Sequence, residues 1–124
     1  MTNTERKKAG TQGVILCMSH FNAQGNQVSL PVGDHARYDL VVELSGKLWR
    51  VQCKLTNRMK RGLYPKVDLM YSCSKGRAGM YTKNDFDFLW VVTPKGNYFI
   101  PARNVGAVRS FFLYPKWDHF KVSR

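Results

Sequence analysis

Three polar residues on two adjacent apolar segments have the types and spacing to do chemistry. Asp39 opens the run Tyr38-Asp39-Leu-Val-Val-Glu-Leu, and Gln52 and Lys54 follow in Arg50-Val-Gln52-Cys53-Lys54. Successive side chains of a strand point to opposite faces, so Gln52 and Lys54 share a face while Cys53 takes the other. A carboxylate, an amide oxygen and an ammonium then surround one point, which suits a divalent cation and a phosphodiester. Asp39 and Gln52 would bind the metal, with the Cys53 carbonyl as a third hard oxygen ligand. Lys54 would orient or deprotonate an attacking water and offset charge at the phosphate. The residues alone leave a second reading open, in which Gln52 and Lys54 lie on a solvated hairpin face and Asp39 caps a turn.

The elements that must position this trio can be traced along the chain. Thr4 to Ala23 reads as a helix, with Val14, Met18 and Phe21 on one stripe, Ile15 and Cys17 widening it, and Gly10 and Gly13 weakening its first half. Gln24-Gly25-Asn26 stops it. Gln27–Val32 is predicted as a short strand, Gly33–Ala36 as a loop, Tyr38–Leu44 as a strand, Ser45-Gly46 as a hairpin turn and Lys47–Thr56 as the next strand. Asn57–Pro65 reads as a basic loop, Val67–Cys73 as a strand and Ser74–Gly79 as a flexible basic loop. Phe88–Val92 and Tyr98–Ile100 form a second strand pair, turned at Thr93–Asn97, and a short helix begins near Pro101 or Ala102. The order predicts an α/β (α+β) fold with a mixed central sheet flanked by helices.

The length of 124 residues fits one domain spanning the whole chain, and a hydrophobic content of 44% supports one core. The tail from about residue 109 carries Phe111, Phe112, Tyr114, Trp117 and Phe120, which is expected to pack on the domain or on a partner subunit. Cys17, Cys53 and Cys73 have no zinc-finger spacing and read as reduced thiols, the first two in the core. No apolar run approaches the roughly 20 residues of a membrane span, and the polar start reads as no signal peptide, so a cytoplasmic location is expected, with a nucleoid or mobile-element setting compatible. A net charge of +12 in so short a chain calls for a polyanionic partner. The basic residues are dispersed over loops and strands rather than along one helix, which favours nucleic acid over a membrane.

The segment from Val28-Ser-Leu-Pro-Val-Gly-Asp34-His-Ala-Arg37-Tyr38-Asp39 through Gln52-Cys-Lys54 resembles the PD-(D/E)XK nucleases. It is most similar to the subgroup that includes group I intron homing endonucleases of cyanobacterial type, in which the second acidic position is often a glutamine, as Gln52 is here. Tyr81-Thr-Lys-Asn-Asp85-Phe-Asp87-Phe-Leu-Trp-Val-Val, followed by Asn97-Tyr-Phe-Ile-Pro101, resembles the family's closing strands, and the likeness runs roughly from Gly10 to Val108. The resemblance implies a restriction-endonuclease-like, three-layer fold, a Mg2+ (or Mn2+) site and double-stranded DNA as substrate. It also implies a glutamate in the first helix after a Gly-x-x-Gly turn. Here Gly10-Thr-Gln-Gly13 is followed by Val14, and Glu5 lies nine positions earlier, about two and a half turns away. Gln12 is nearer but neutral.

DNA contacts are expected from Arg37, Arg50, Arg58, Lys60, Arg61, Lys66, Lys75 and Arg77, the last three framing a hairpin that could enter the major groove. Each has a simpler reading as a solvated charge, and Arg37 could instead pair with Asp34. Asp34 could assist the metal or cap a turn. Glu43 is too far along its strand for the same cation. His20 and His119 read as packing or surface residues, and only His35, beside Asp34, is a candidate. One 14.3 kDa subunit covers little duplex, so a homodimer or homotetramer is expected. Three functions compete: a sequence-specific, metal-dependent DNA endonuclease of homing-endonuclease type; a catalytically impaired DNA-binding regulator or inhibitor on the same scaffold, favoured by Val14; and an RNA-binding protein, from the aromatic tail.

Overall fold

The computed structural model describes residues 2–72 and 78–123. Helix α1 (Asn3–Ala23) starts at a capping box, in which the Thr2 hydroxyl accepts from the Glu5 N–H and the Glu5 carboxylate accepts from the Thr2 N–H. It ends where Gly25 takes a positive φ of 84°. The main sheet has the order β1 (Val28–Ser29), β2 (Leu40–Leu44), β3 (Lys47–Leu55), β8 (Phe88–Thr93), β9 (Gly96–Pro101), β11 (Lys121–Val122). Only the β3–β8 pair is parallel, so the sheet is mixed as expected. Ser45 and Gly46 both have positive φ in the β2–β3 turn, the conformation that matches the twist of a two-residue hairpin.

The two faces of this sheet carry separate cores. Cys17 and Phe21 of α1 pack on Leu40, Val42, Val51, Cys53 and Trp90. Gly13 sets the helix close to β3: a Cβ there would lie 3.4 Å from the Leu55 Cβ. Cys17 and Cys53 are buried free thiols, and Ile15 faces outward at 54% exposure instead of joining the apolar stripe. The opposite face holds Leu89, Val91, Tyr98 and Ile100 against Val67, Leu69, Phe86 and Leu113, with Phe111, Trp117 and Phe120 of the C-terminal segment packed against them. Among the described residues this second face is covered by short strands and 3-10 turns, not by a second α-helix.

Most departures from expectation fall on that second layer. The stretch 57–65, read as a loop, contains β4 (Met59–Lys60) and the start of β5 (Tyr64–Asp68), joined through Arg61 and Gly62, both at positive φ. With β10 (Ser110–Phe112) they form a three-stranded sheet. The strand predicted over 67–73 breaks at Leu69, which is buried and donates its N–H to the Arg109 carbonyl; β6 (Met70–Ser72) then pairs with β7 (Ala78–Met80). Cys73, Lys75 and Arg77 lie outside the described residues. The first strand shrinks to two residues because Pro31 has no N–H to donate and Val32 is 99% exposed. The predicted short helix is a 3-10 turn over Ala102–Asn104, with a second at Pro115–Phe120.

Candidate functional site

Strand β3 separates the two faces one residue at a time. Val51 and Cys53 enter the helix-side core, while Gln52 and Lys54 point the other way, beside Leu89 and Val91 of the parallel neighbour. Asp39 sits just before β2, and its N–H donates to the Val51 carbonyl at 2.8 Å. Its Oδ2 accepts the Cys53 N–H at 2.8 Å, which ties the carboxylate to the strand that carries Gln52 and Lys54. Asp39, Gln52, Cys53 and Lys54 line one cleft of about 1150 Å³, closed by α1 on one side and by β5, Tyr71 and Tyr81 on the other.

The cleft alters the charged groups inside it. Burial raises the Asp39 pKa, partly offset by the Cys53 N–H and by Lys54. Burial lowers the Lys54 pKa, and the nearby carboxylates Asp39 and Asp68 do not fully restore it. The Lys54 Nζ lies 3.5 Å from the Met70 carbonyl and 5.1 Å from the Tyr81 ring centroid. Burial, the largest cause, pushes the Tyr81 phenol up to about 12.

The donor set fits a single hard cation. Gln52 is buried at 6% exposure, and its Nε2 donates to the Cys53 carbonyl at 3.3 Å. Its Oε1 is left without a protein donor among the described residues. One carboxylate, one amide oxygen and one carbonyl suit Mg2+, which ordinarily keeps several waters. Among the described residues there is no cluster of three His, Cys, Asp or Glu side chains placed to hold a metal. Val14 forms part of the cleft wall, so an apolar side chain stands beside these donors. Glu5 serves the helix cap.

The expected DNA contacts divide sharply. Arg37 is exposed and stacks on Tyr71, 3.9 Å from its ring centroid, instead of pairing with Asp34, whose Oδ1 lies 3.7 Å from the His35 Nδ1. Arg50 is held by Asp87 through two guanidinium contacts of 3.2 and 3.3 Å, and donates to the Asn84 carbonyl at 2.9 Å. Arg58 and Lys66 pair with Asp68 at 3.1 and 3.9 Å. The Lys60 Nζ donates to the Tyr114 hydroxyl at 2.9 Å, and Arg61 occupies an exposed turn. His20 packs on Phe21 and Trp90, and burial lowers its pKa.

Several cleft residues escaped sequence reasoning, among them Asp68, Tyr81, Arg6 and Lys7. Asp68 and Tyr81 reach the site from β5 and from the segment after β7, and no local spacing announces either. Arg6 and Lys7 line it from the first turns of α1. Their signal was the run Arg6-Lys7-Lys8 at a helix start, where positive charge opposes the helix dipole and gains from a nearby polyanion.

Residues 4–113 match a family model described as PD-(D/E)XK endonuclease. Among solved structures the chain resembles a bacterial homing endonuclease, I-Ssp6803I, with a TM-score of 0.76 and 21% identity, covering 93% of this chain and 87% of that one. MepB aligns over 94% of this chain and 83% of its own at a TM-score of 0.48 and 15% identity. No curated protein matches the chain. At 21% identity the first likeness establishes a shared, restriction-endonuclease-like fold.

Proposed function

The chain belongs to the PD-(D/E)XK endonuclease family, and from that premise we propose that it hydrolyses phosphodiester bonds of double-stranded DNA in a metal-dependent, sequence-specific manner, as a homing-endonuclease-like enzyme. The observation that carries this reading is the convergence of Asp39, Gln52, Cys53 and Lys54 on one cleft, with the Asp39 carboxylate anchored to the Cys53 N–H. Asp39, Gln52 and the Cys53 carbonyl would hold Mg2+ or Mn2+. When bound, that cation supplies Lewis acidity at the phosphoryl group. Lys54 lines the same cleft, where its ammonium would orient the attacking water and offset charge at the phosphate. Arg37, Arg6 and Lys7 line or flank the cleft as phosphate contacts, whereas Arg50 is committed to Asp87 and serves the fold. A homodimer or homotetramer would supply the footprint that one subunit lacks.

Val14 favours a second reading. With Asp39 as the one carboxylate among the three candidate metal donors, the same scaffold could bind DNA as a regulator without cutting it. Incubation of supercoiled plasmid with the protein in Mg2+ or Mn2+, against EDTA and against Asp39→Ala and Lys54→Ala, separates the two. Metal-dependent nicking or linearisation by wild type, lost in both variants, supports the nuclease. Tight binding with no product in either metal supports the regulator. Among the described residues no helix is long and apolar enough to cross a membrane.

A further inference from the structure

We propose that Tyr81 is a positioning residue whose ring face fixes the Lys54 ammonium in the cleft. This rests on the nuclease reading of Lys54 for its functional consequence, but its geometry stands apart from it. A lysine ends in a point charge on a flexible four-carbon stem, so something must hold it if it is to act at one place. Direct partners are weak here. Among the described residues the single hydrogen bond from Nζ, to the Met70 carbonyl, is long at 3.5 Å, and no carboxylate lies within 4.0 Å of it. The Tyr81 ring centroid lies 5.1 Å from Nζ, within the range in which a ring face attracts a cation.

The ring is itself immobilised. Tyr81 is 7% exposed and packs edge-on against Phe86, with centroids 5.6 Å apart, and against Tyr71 at 5.0 Å. Tyr71 is held in turn by Gly79, its register partner across the β6–β7 pair. A Cβ at Gly79 would lie 2.5 Å from the Tyr71 ring, so the bare glycine is a spatial requirement of this stack. Arg37 closes the outer side of Tyr71. Two cations, one in the cleft and one at the surface, thus bracket a pair of rings rooted in the core.

The test is side-chain NMR of lysine-labelled protein, with the Lys54 signal assigned by its loss in Lys54→Arg, together with cleavage and DNA-binding measurements. Lys54 Hε protons over a ring face should resonate upfield of the other lysines. That shift should survive in Tyr81→Phe and vanish in Tyr81→Leu; Gly79→Ala, which displaces Tyr71 instead, should reduce it if the leucine variant does not fold. Cleavage at saturating DNA should fall about tenfold in Tyr81→Leu, as a misplaced catalytic group would cause, and stay within about twofold of wild type in Tyr81→Phe, with DNA affinity unchanged in both. An unshifted Lys54 signal in wild type, or equal losses of cleavage in the phenylalanine and leucine variants, would overturn the proposal. A shifted signal in a wild-type protein that never cuts DNA would sink the nuclease reading and leave the positioning role standing.

Discussion

The two faces of β3 are built to different rules. The helix side is a dry core in which Val51 and Cys53 pack with Trp90, Cys17 and Phe21, and its strand residues are apolar. The cleft side begins as a core too, with Leu89 and Val91, but at Gln52 and Lys54 it turns polar and half-open. In the proposed function, one strand divides its alternate residues between stability and chemistry. Substitutions on the two sides should separate these properties cleanly.

The largest expected effect is on the helix side. Trp90 is fully buried, and Trp90→Ala should lower stability by about 3–5 kcal/mol, read by chemical denaturation. Trp90→Phe should cost much less, because the indole N–H finds no partner among the described residues and its loss strands nothing. If the alanine variant were nearly as stable as wild type, the helix-side core would not be what holds β3.

On the cleft side the pattern should reverse. Lys54→Met should lower cleavage by about 10²–10³-fold while leaving Tm within about 4 °C, since it exchanges a partly buried charge for an apolar side chain of similar length. A collapse of Tm would place Lys54 in the structural half of the molecule.

A smaller effect tests the boundary between the halves, where Arg50 is clamped by Asp87. Burial raises the Asp87 pKa, but hydrogen bonds and charge from Arg50 bring it below its ordinary 3.8. A folded pKa below the unfolded one contributes stability that is fully present above the unfolded value and is lost as pH falls through the folded one. Asp87→Asn should therefore cost about 1 kcal/mol at pH 7, a magnitude discounted for partial exposure. The gap to wild type should narrow as pH falls below the ordinary carboxylate value and through the lower folded one, followed by denaturant titration at several pH values. A gap independent of pH would mean that charge has no part in the clamp.

The smallest effect concerns the surface. Arg37→Ala should weaken DNA binding a few-fold and reduce the salt slope by about one, with no change in site preference. An unchanged slope would remove Arg37 from the phosphate contacts.

The same division explains what could be read in advance. Helix α1, the β2–β3 hairpin and the β8–β9 pair follow from regular periodicity and from local turn signals such as Ser45-Gly46, and they carry Asp39, Gln52 and Lys54. The cleft's outer wall is made of strands of two to five residues, too short to show a periodic signal; β4–β5 and β6–β7 pair locally, and β5 also pairs with the distant β10. Arg50 is clamped by Asp87, a partner 37 residues away that no local spacing announces. Asp68 and Tyr81 reach the site only through tertiary packing. The missing carboxylate at Val14 was visible only against a family pattern; the structure adds that Val14 shares the wall of the cleft.

In the proposed mechanism Asp39 contributes its charge to catalysis rather than to the fold. Asp39→Asn tests it most directly, because an asparagine oxygen can still accept the Cys53 N–H that Asp39 accepts at 2.8 Å. Cleavage rate and DNA affinity should be measured on the same preparation in Mg2+. Affinity should stay within about threefold of wild type, and cleavage should fall by at least about 10²-fold. Equal cleavage by the two proteins would contradict it.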